Sequence, residues 1–493
     1  MTDVEAQLIK ARIVYTADES DRVVPGGAVL VVGDRIVAVG EEAEVGATAA
    51  ALTQPVRTID ATNMMVLPGF VNAHWHEFFA RRVGPTDALR PVRDAEDAPG
   101  WMALGGNLLA VSPMFDKLAD LAPRLTEREA VDIATYSVWS QLRGGTTTLA
   151  DLGSFNQPDA LMAAFRAVGI RGAISTWVSD VVCEKGASAP RRSRSADSVV
   201  RELDRVATMC AADDTGMLRA RASVVAVTNM SDEAGRGIAE LADRYGLTIG
   251  AHLCALRTES PTVREYFGRG SVQRFADLGL LGDRLLGAHT SFADETERRL
   301  LIDAAVHISH SPAKYGWVGE STMSETRLIP ELAKAGLDVS ISTDGSGRPI
   351  GGMVENMRAA WQQHNELYAD PTVLRASRAL AMATRLPAKG LRWQDQIGSL
   401  EPDKQADLVM VRADDWRYLL DPRPLEAFLH LGGSLDIDTV MVAGRTLIKG
   451  GRSVHLDETE LQRRYLAALR SCAARVFEVA EPQLRQVFAG VAG

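Results

Sequence analysis

The chain has 493 residues, enough for two or three average domains or for one large barrel with a satellite. Its 46% hydrophobic and 24% charged residues match a soluble globular protein and exclude a fibrous or disordered chain. A formal net charge of -10 argues against a nucleic-acid or anionic-membrane surface, where Lys and Arg would concentrate, and leaves a small molecule as the expected substrate.

In chain order, Met1 to Ile13 carries charges at Asp3, Glu5 and Lys10 and no apolar run suited to a signal peptide or membrane span, so a cytoplasmic location is expected. Short apolar runs follow at 11–15, 28–32 and 35–39, and Gly33-Asp34 between the last two is a hairpin signal. Similar runs return at 406–411 and 439–448. Neither set has enough strands by itself, so the two are expected to pair into one small accessory β-sandwich, with an N-terminal part at 1–65 and a C-terminal part at 393–455.

Between them lie eight apolar runs, near Val66 to Ala73, Thr146 to Leu152, Gly172 to Val178, Ala220 to Val227, Thr248 to Leu253, Leu285 to Ala288, Val306 to Ser309 and Val339 to Thr343. Most are followed by helical patterns such as 127–142, 160–167, 233–245 and 295–304. This alternation predicts an α/β fold, a (β/α)8 TIM barrel over 66–392. The connection from Glu77 to Pro123, with Trp101, Met114 and Phe115, is out of scale and is expected to lie over the site. The cluster Arg191, Arg192 and Arg194 interrupts the acidic balance and reads as a solvated loop. Helical spacing from Glu458 to Phe488 predicts a C-terminal helix within 456–493 that packs on the barrel or on a neighbouring subunit. Cys183, Cys210, Cys254 and Cys472 lie far apart with no CxxC pair, which predicts free thiols.

In a barrel of this kind the chemistry gathers at the C-terminal ends of the strands. The run Pro68-Gly69-Phe70-Val71-Asn72-Ala73-His74-Trp75-His76 sets two histidines on one side of a strand end, where neutral imidazoles can converge on one divalent metal. His252 ends the fifth run, His289 the sixth, and Asp344 the eighth, where a buried carboxylate needs a cation beside it. Taken singly, each histidine could be a core residue bonded to backbone. Together they fall at the ends of strands that a closed barrel brings to one point. His310 ends the seventh run and is open between substrate contact and structural support. His307, His364, His430 and His455 read as structural or surface residues. Trp101 and Trp317 could stack on a planar substrate ring or pack loops, and Lys314 could pair with a substrate anion or join an ion pair.

The segment through His76, the histidines at 252 and 289, and Ser342-Thr343-Asp344-Gly345 resemble the amidohydrolase superfamily, nearest its aminohydrolase and triazine-hydrolase (chlorohydrolase-like) branch. The stretch Ile397 to Val409 and the later Val442-Ala443-Gly444-Arg445 resemble the strands that close that family's accessory sandwich, so the resemblance covers nearly the whole chain. It implies one divalent metal ion per subunit, zinc by default with Fe, Co or Mn as alternatives, held by His74, His76, His252 and Asp344. It also implies catalytic roles for Asp344, which takes a proton from the metal-activated water, and His289, which contacts that water or the substrate. Binuclear members use a bridging lysine from the fourth strand, and 219–229 contains none.

One departure matters. Deaminases of this branch place a proton-shuttling glutamate three residues after the fifth-strand histidine, where this chain has Ala255. Either Glu77, Glu259 or Glu320 reaches in, or Asp344 with His289 carries the proton, or the leaving group needs little help. The expected reaction is hydrolysis of a carbon–nitrogen (non-peptide) or related carbon–heteroatom bond of a small nitrogen-containing ring, as in a deaminase or dechlorinase. The alternatives are an amide, carbamate or urea hydrolase acting on an open-chain compound, and a metal-binding protein with a decayed site. A homodimer or higher homo-oligomer is the expected assembly.

Overall fold

The computed structural model describes residues 5–77, 79, 108–318, 323–345, 352–480 and 482. The turn signal Gly33-Asp34, with Gly33 at φ +62°, reverses the chain between strands Gly27–Val32 and Arg35–Glu41, which pair antiparallel. Strand Ala6–Tyr15 pairs with Gly27–Val32 on one side and, in parallel, with Val56–Pro68 on the other. The strand Val56–Pro68 then takes Leu408–Arg412 antiparallel, and Ile437–Val442 and Arg445–Lys449 continue outward. The early and late runs thus join in one continuous nine-stranded sheet among the described residues. Ile9, Val29, Val31, Ile36, Val66, Met410 and Met441 form its buried core.

Eight parallel strands make the (β/α)8 barrel: Phe70–Trp75, Thr146–Asp151, Arg171–Ile174, Leu218–Val224, Thr248–Leu253, Leu285–His289, His307–His310 and Val339–Ile341, paired in chain order. They are buried almost end to end, as parallel strands covered on both faces must be. The circle closes where Asp344 N–H donates to His74 O at 3.1 Å. Surrounding helices start at side-chain caps, for example the reciprocal Thr126–Glu129 and Asp294–Glu297 pairs that open Glu127–Arg143 and Glu295–Asp303.

The apolar run near Val66 divides between the two sheets. Val56–Pro68 belongs to the accessory sheet, and the chain enters the barrel only at Phe70. Gly69 makes the crossing possible, since a Cβ there would stand 2.3 Å from Thr147 Oγ1. The end of the long first connection is a helix, Leu108–Leu118, and Trp101 lies outside the described residues. The C-terminal helix Glu458–Val476 packs on Glu127–Arg143, with Tyr136 and Tyr465 stacked at 4.1 Å and Ser471 Oγ donating to Glu129 at 2.6 Å. The arginine cluster is solvated, with Arg191 and Arg192 exposed, but it is ordered as the short strand Arg191–Arg192 and ion-paired, Arg191 with Glu184, Arg192 with Asp180 and Arg194 with Asp116. All four cysteines are buried free thiols. Among the described residues no helix is long and apolar enough to cross a membrane.

Candidate metal centre

The barrel brings His74, His76, His252, His289 and Asp344 to its C-terminal mouth. All but the partly exposed His252 are buried. Three of the strand-end segments turn through the left-handed region, with Cys254 at φ +49°, His289 at +73° and Asp344 at +55°. Such backbone in residues other than glycine costs roughly 1–3 kcal/mol each and persists where surrounding contacts impose it, typically at functional sites. At Asp344 the imposing contacts are visible. Asn72, two residues before His74, donates to Thr343 Oγ1 at 2.7 Å and accepts Thr343 N–H at 3.2 Å.

His74, His252, His289 and Asp344 each offer one ligand atom, and these atoms lie within 4.8 Å of one another. His76 joins them, its Nε2 standing 3.1 Å from His252 Nε2 and 3.5 Å from Asp344 Oδ1. His74 Nε2 is 3.7 Å from the same Oδ1, and neither of its ring nitrogens has a hydrogen-bond partner among the described residues. The outer nitrogens are oriented from behind: His252 Nδ1–H donates to Val225 O at 2.5 Å, which turns its Nε2 lone pair inward, and His76 Nδ1 meets Ser154 Oγ at 2.9 Å. Burial is the main force lowering the pKa of all four imidazoles, so they stand neutral, as ligation requires. Burial pushes the Asp344 carboxyl up, but the Lys314 ammonium and the His74 ring outweigh it and hold it well below the usual carboxylate range. Buried nitrogen lone pairs converging on an ionised carboxylate are the donor set of a divalent-metal site.

The other sequence candidates fall around this cluster. Lys314, on the short helix Pro312–Val318, reaches inward and places Nζ 2.9 Å from Asp344 Oδ2. Trp317 belongs to the same helix, and its side chain lies outside the described set, as does Glu320 entirely. His310 is buried one layer away, with its Nε2 3.2 Å from the Nε2 of buried His364 and its ring 5.2 Å from Tyr315. His307 is buried under Gly390, while His430 and His455 are exposed. Sequence reasoning did not foresee the contacts of Ser154 with His76, of the Val225 carbonyl with His252, or of Tyr315 with His289, where the hydroxyl lies 3.1 Å from Nδ1.

Of the glutamates that could replace the one missing at Ala255, Glu77 is buried immediately after His76. Glu259 is committed elsewhere: its two oxygens accept the Cys254 and Ala255 N–H groups at 2.5 and 2.9 Å, tying down the loop after the fifth strand. Burial pushes its carboxyl up to about 7 despite those bonds. A carboxyl raised in the folded state contributes stability at pH below its unfolded value, and that contribution is lost as pH rises through about 7. Comparing Tm of wild type and Glu259→Gln between pH 5 and pH 8 should therefore show the variant gaining on the wild type as pH rises. A pH-independent gap would count against this assignment.

The sequence profile of the Amidohydrolase family matches residues 65–447. Among curated relatives, a 5'-deoxyadenosine deaminase from Methanopyrus kandleri is 27% identical over 398 residues, covering 80% of this chain and 84% of its own length. A 5-methylthioadenosine/S-adenosylhomocysteine deaminase from Pelotomaculum thermopropionicum is 28% identical over 461 residues, covering 92% of this chain and 96% of its own. Two solved structures share the fold. One is an adenosine deaminase from Xanthomonas campestris with bound zinc, with TM-score 0.78, 23% identity, and coverage of 96% of this chain and 99% of that one. The other is an atrazine chlorohydrolase from Arthrobacter aurescens TC1 complexed with zinc, with TM-score 0.76, 24% identity, and coverage of 94% and 100%.

Proposed function

The chain belongs to the amidohydrolase family and is a hydrolase, and from that premise we propose that it displaces a substituent from a ring carbon of a nitrogen heterocycle, favouring leaving groups that depart without full protonation. The observation that carries the reading is the strand-end cluster whose outer nitrogens are oriented from behind while its inner nitrogens and the Asp344 carboxylate converge. His74, His76, His252 and Asp344 would hold one ion, with zinc the first choice. When bound, such an ion lowers the pKa of water from about 15.7 toward about 7 and supplies the nucleophile.

The chain's own residues supply the rest. Asp344, ionised and buried, accepts the proton of the attacking water at its carboxylate. His289, 3.4 Å from Asp344 Oδ2, donates a hydrogen bond to the oxygen that develops charge in the tetrahedral centre, a contribution of about 3 kcal/mol for one well-placed donor. Ala255 stands in place of the shuttle and Glu259 is bound to backbone, so we assign the leaving-group proton to Asp344, which has just taken it from the water. Chloride or a thiolate leaves with little such help, whereas an amine needs it, and general-acid assistance is worth roughly 10²–10⁴-fold.

The test is a matched panel: a purine nucleoside and an s-triazine, each bearing amine, chloride or methylthio at the same ring carbon. The chloro or methylthio member is expected to turn over at least about tenfold faster than its amine partner. Equal or faster amine release would replace this reading with plain deamination, which the names of the curated relatives favour. Chelation should abolish turnover and zinc should restore it at about one equivalent. Full activity of a metal-free preparation would defeat the proposal.

A further inference from the structure

His289 leaves the sixth strand in the left-handed conformation, and its ring lies between the Asp344 carboxylate and the helix Pro312–Val318. Its Nε2 is 3.4 Å from Asp344 Oδ2, and its Nδ1 is 3.1 Å from the Tyr315 hydroxyl. A neutral imidazole carries one proton, so its two tautomers differ in which neighbour meets a lone pair. An ionised carboxylate only accepts. A proton on Nε2 therefore suits Asp344, while a proton on Nδ1 would set the Nε2 lone pair against the carboxylate oxygen. With the proton on Nε2, Nδ1 becomes an acceptor and the hydroxyl facing it must donate. The Tyr315 oxygen accepts Ser311 N–H at 3.1 Å, which uses an oxygen lone pair and is compatible with donation of its own proton to His289.

We propose that Tyr315 is a positioning residue that fixes His289 as the Nε2–H tautomer, making it a hydrogen-bond donor toward the reacting oxygen and not a metal ligand through that atom. The neighbouring ring sets the contrast. His252 is stacked on His289 at 5.2 Å and 7°, yet its Nδ1–H is held by the Val225 carbonyl, so its Nε2 presents a lone pair. Two parallel imidazoles at the same mouth thus carry opposite tautomers, one to ligate and one to donate. The assignment rests on reading His74, His76, His252 and Asp344 as the ligand set.

The test is ¹⁵N NMR of histidine-labelled protein, zinc-loaded and zinc-free, for wild type and Tyr315→Phe. His289 is assigned by the signals missing in His289→Gln. Phenylalanine keeps the ring beside His310 and removes only the donor. In the wild type, Nε2 of His289 should carry the proton and Nδ1 should resonate as an acceptor. In Tyr315→Phe the Nδ1 signal should move and the tautomers should mix. With the substrate that turns over, kcat should fall at least about tenfold while KM stays within about twofold and zinc content is unchanged. A proton on Nδ1 in the wild type, or a His289 spectrum indifferent to Tyr315→Phe, overturns the proposal. Failure of the protein to bind zinc would sink the metal reading instead, and the zinc-free spectra would still decide the tautomer.

Discussion

Asp344→Asn is expected to lower kcat by about a thousandfold or more, equivalent to about 4 kcal/mol of transition-state stabilisation. The side chain keeps its size, and the segment holding it stays pinned by Asn72 to Thr343, so the loss is chemical and not a collapse of the mouth. Asparagine cannot take the water's proton, and it removes the negative charge that faces three imidazoles and the Lys314 ammonium. Zinc affinity should fall with activity, because a neutral oxygen replaces the only anionic donor of the proposed set. Steady-state kinetics with elemental analysis on one preparation checks both. Activity within tenfold of wild type would mean that another base serves the reaction.

The barrel was legible because its signal is periodic and local. Eight apolar runs with helical patterns between them mark the eight strands, and polar residues closing those runs mark the mouth. His74, His252, His289 and Asp344 could be picked out because each ends a run that otherwise has no reason to carry a polar group. The boundary near Val66 was not legible: a strand of the accessory sheet and a strand of the barrel are separated by Gly69 alone, and hydrophobicity does not change when the chain moves from one buried sheet to the next. The orienting partners were hidden for a different reason. Ser154, the Val225 carbonyl and Tyr315 follow strands with no fixed spacing from the histidines they touch, and a backbone carbonyl has no sequence signature at all. The pairing of Lys314 with Asp344 was equally invisible, since it spans the seventh and eighth strands.

The same blindness to long-range pairs concealed a buried ion pair that joins the two parts of the fold, and breaking it should have a large effect on stability. Arg171 opens the third barrel strand fully buried, and its Nη1 lies 2.5 Å from Asp407 Oδ2, while its Nη2 reaches Gln405. Asp407 in turn accepts Ala443 N–H at 2.8 Å through Oδ1, and its backbone carbonyl accepts Gly69 N–H at 2.9 Å. One ion pair therefore ties the barrel floor to the accessory strands and to the glycine where the chain crosses between sheets. Arg171→Met strands a buried carboxylate and should cost about 3–5 kcal/mol. Burial already pushes Asp407 up against the pull of Arg171, so the loss should grow as pH rises and the carboxyl is forced to ionise without its partner. Adding Asp407→Leu removes the orphaned charge, and the double variant should recover part of the loss, so that the two single effects do not add. Urea midpoints at pH 5 and pH 8, followed by circular dichroism and tryptophan fluorescence together, measure all of this. A double variant as unstable as the sum of the singles would show that Arg171 and Asp407 each stabilise the fold through other contacts, and that the joint between barrel and accessory sheet rests on packing.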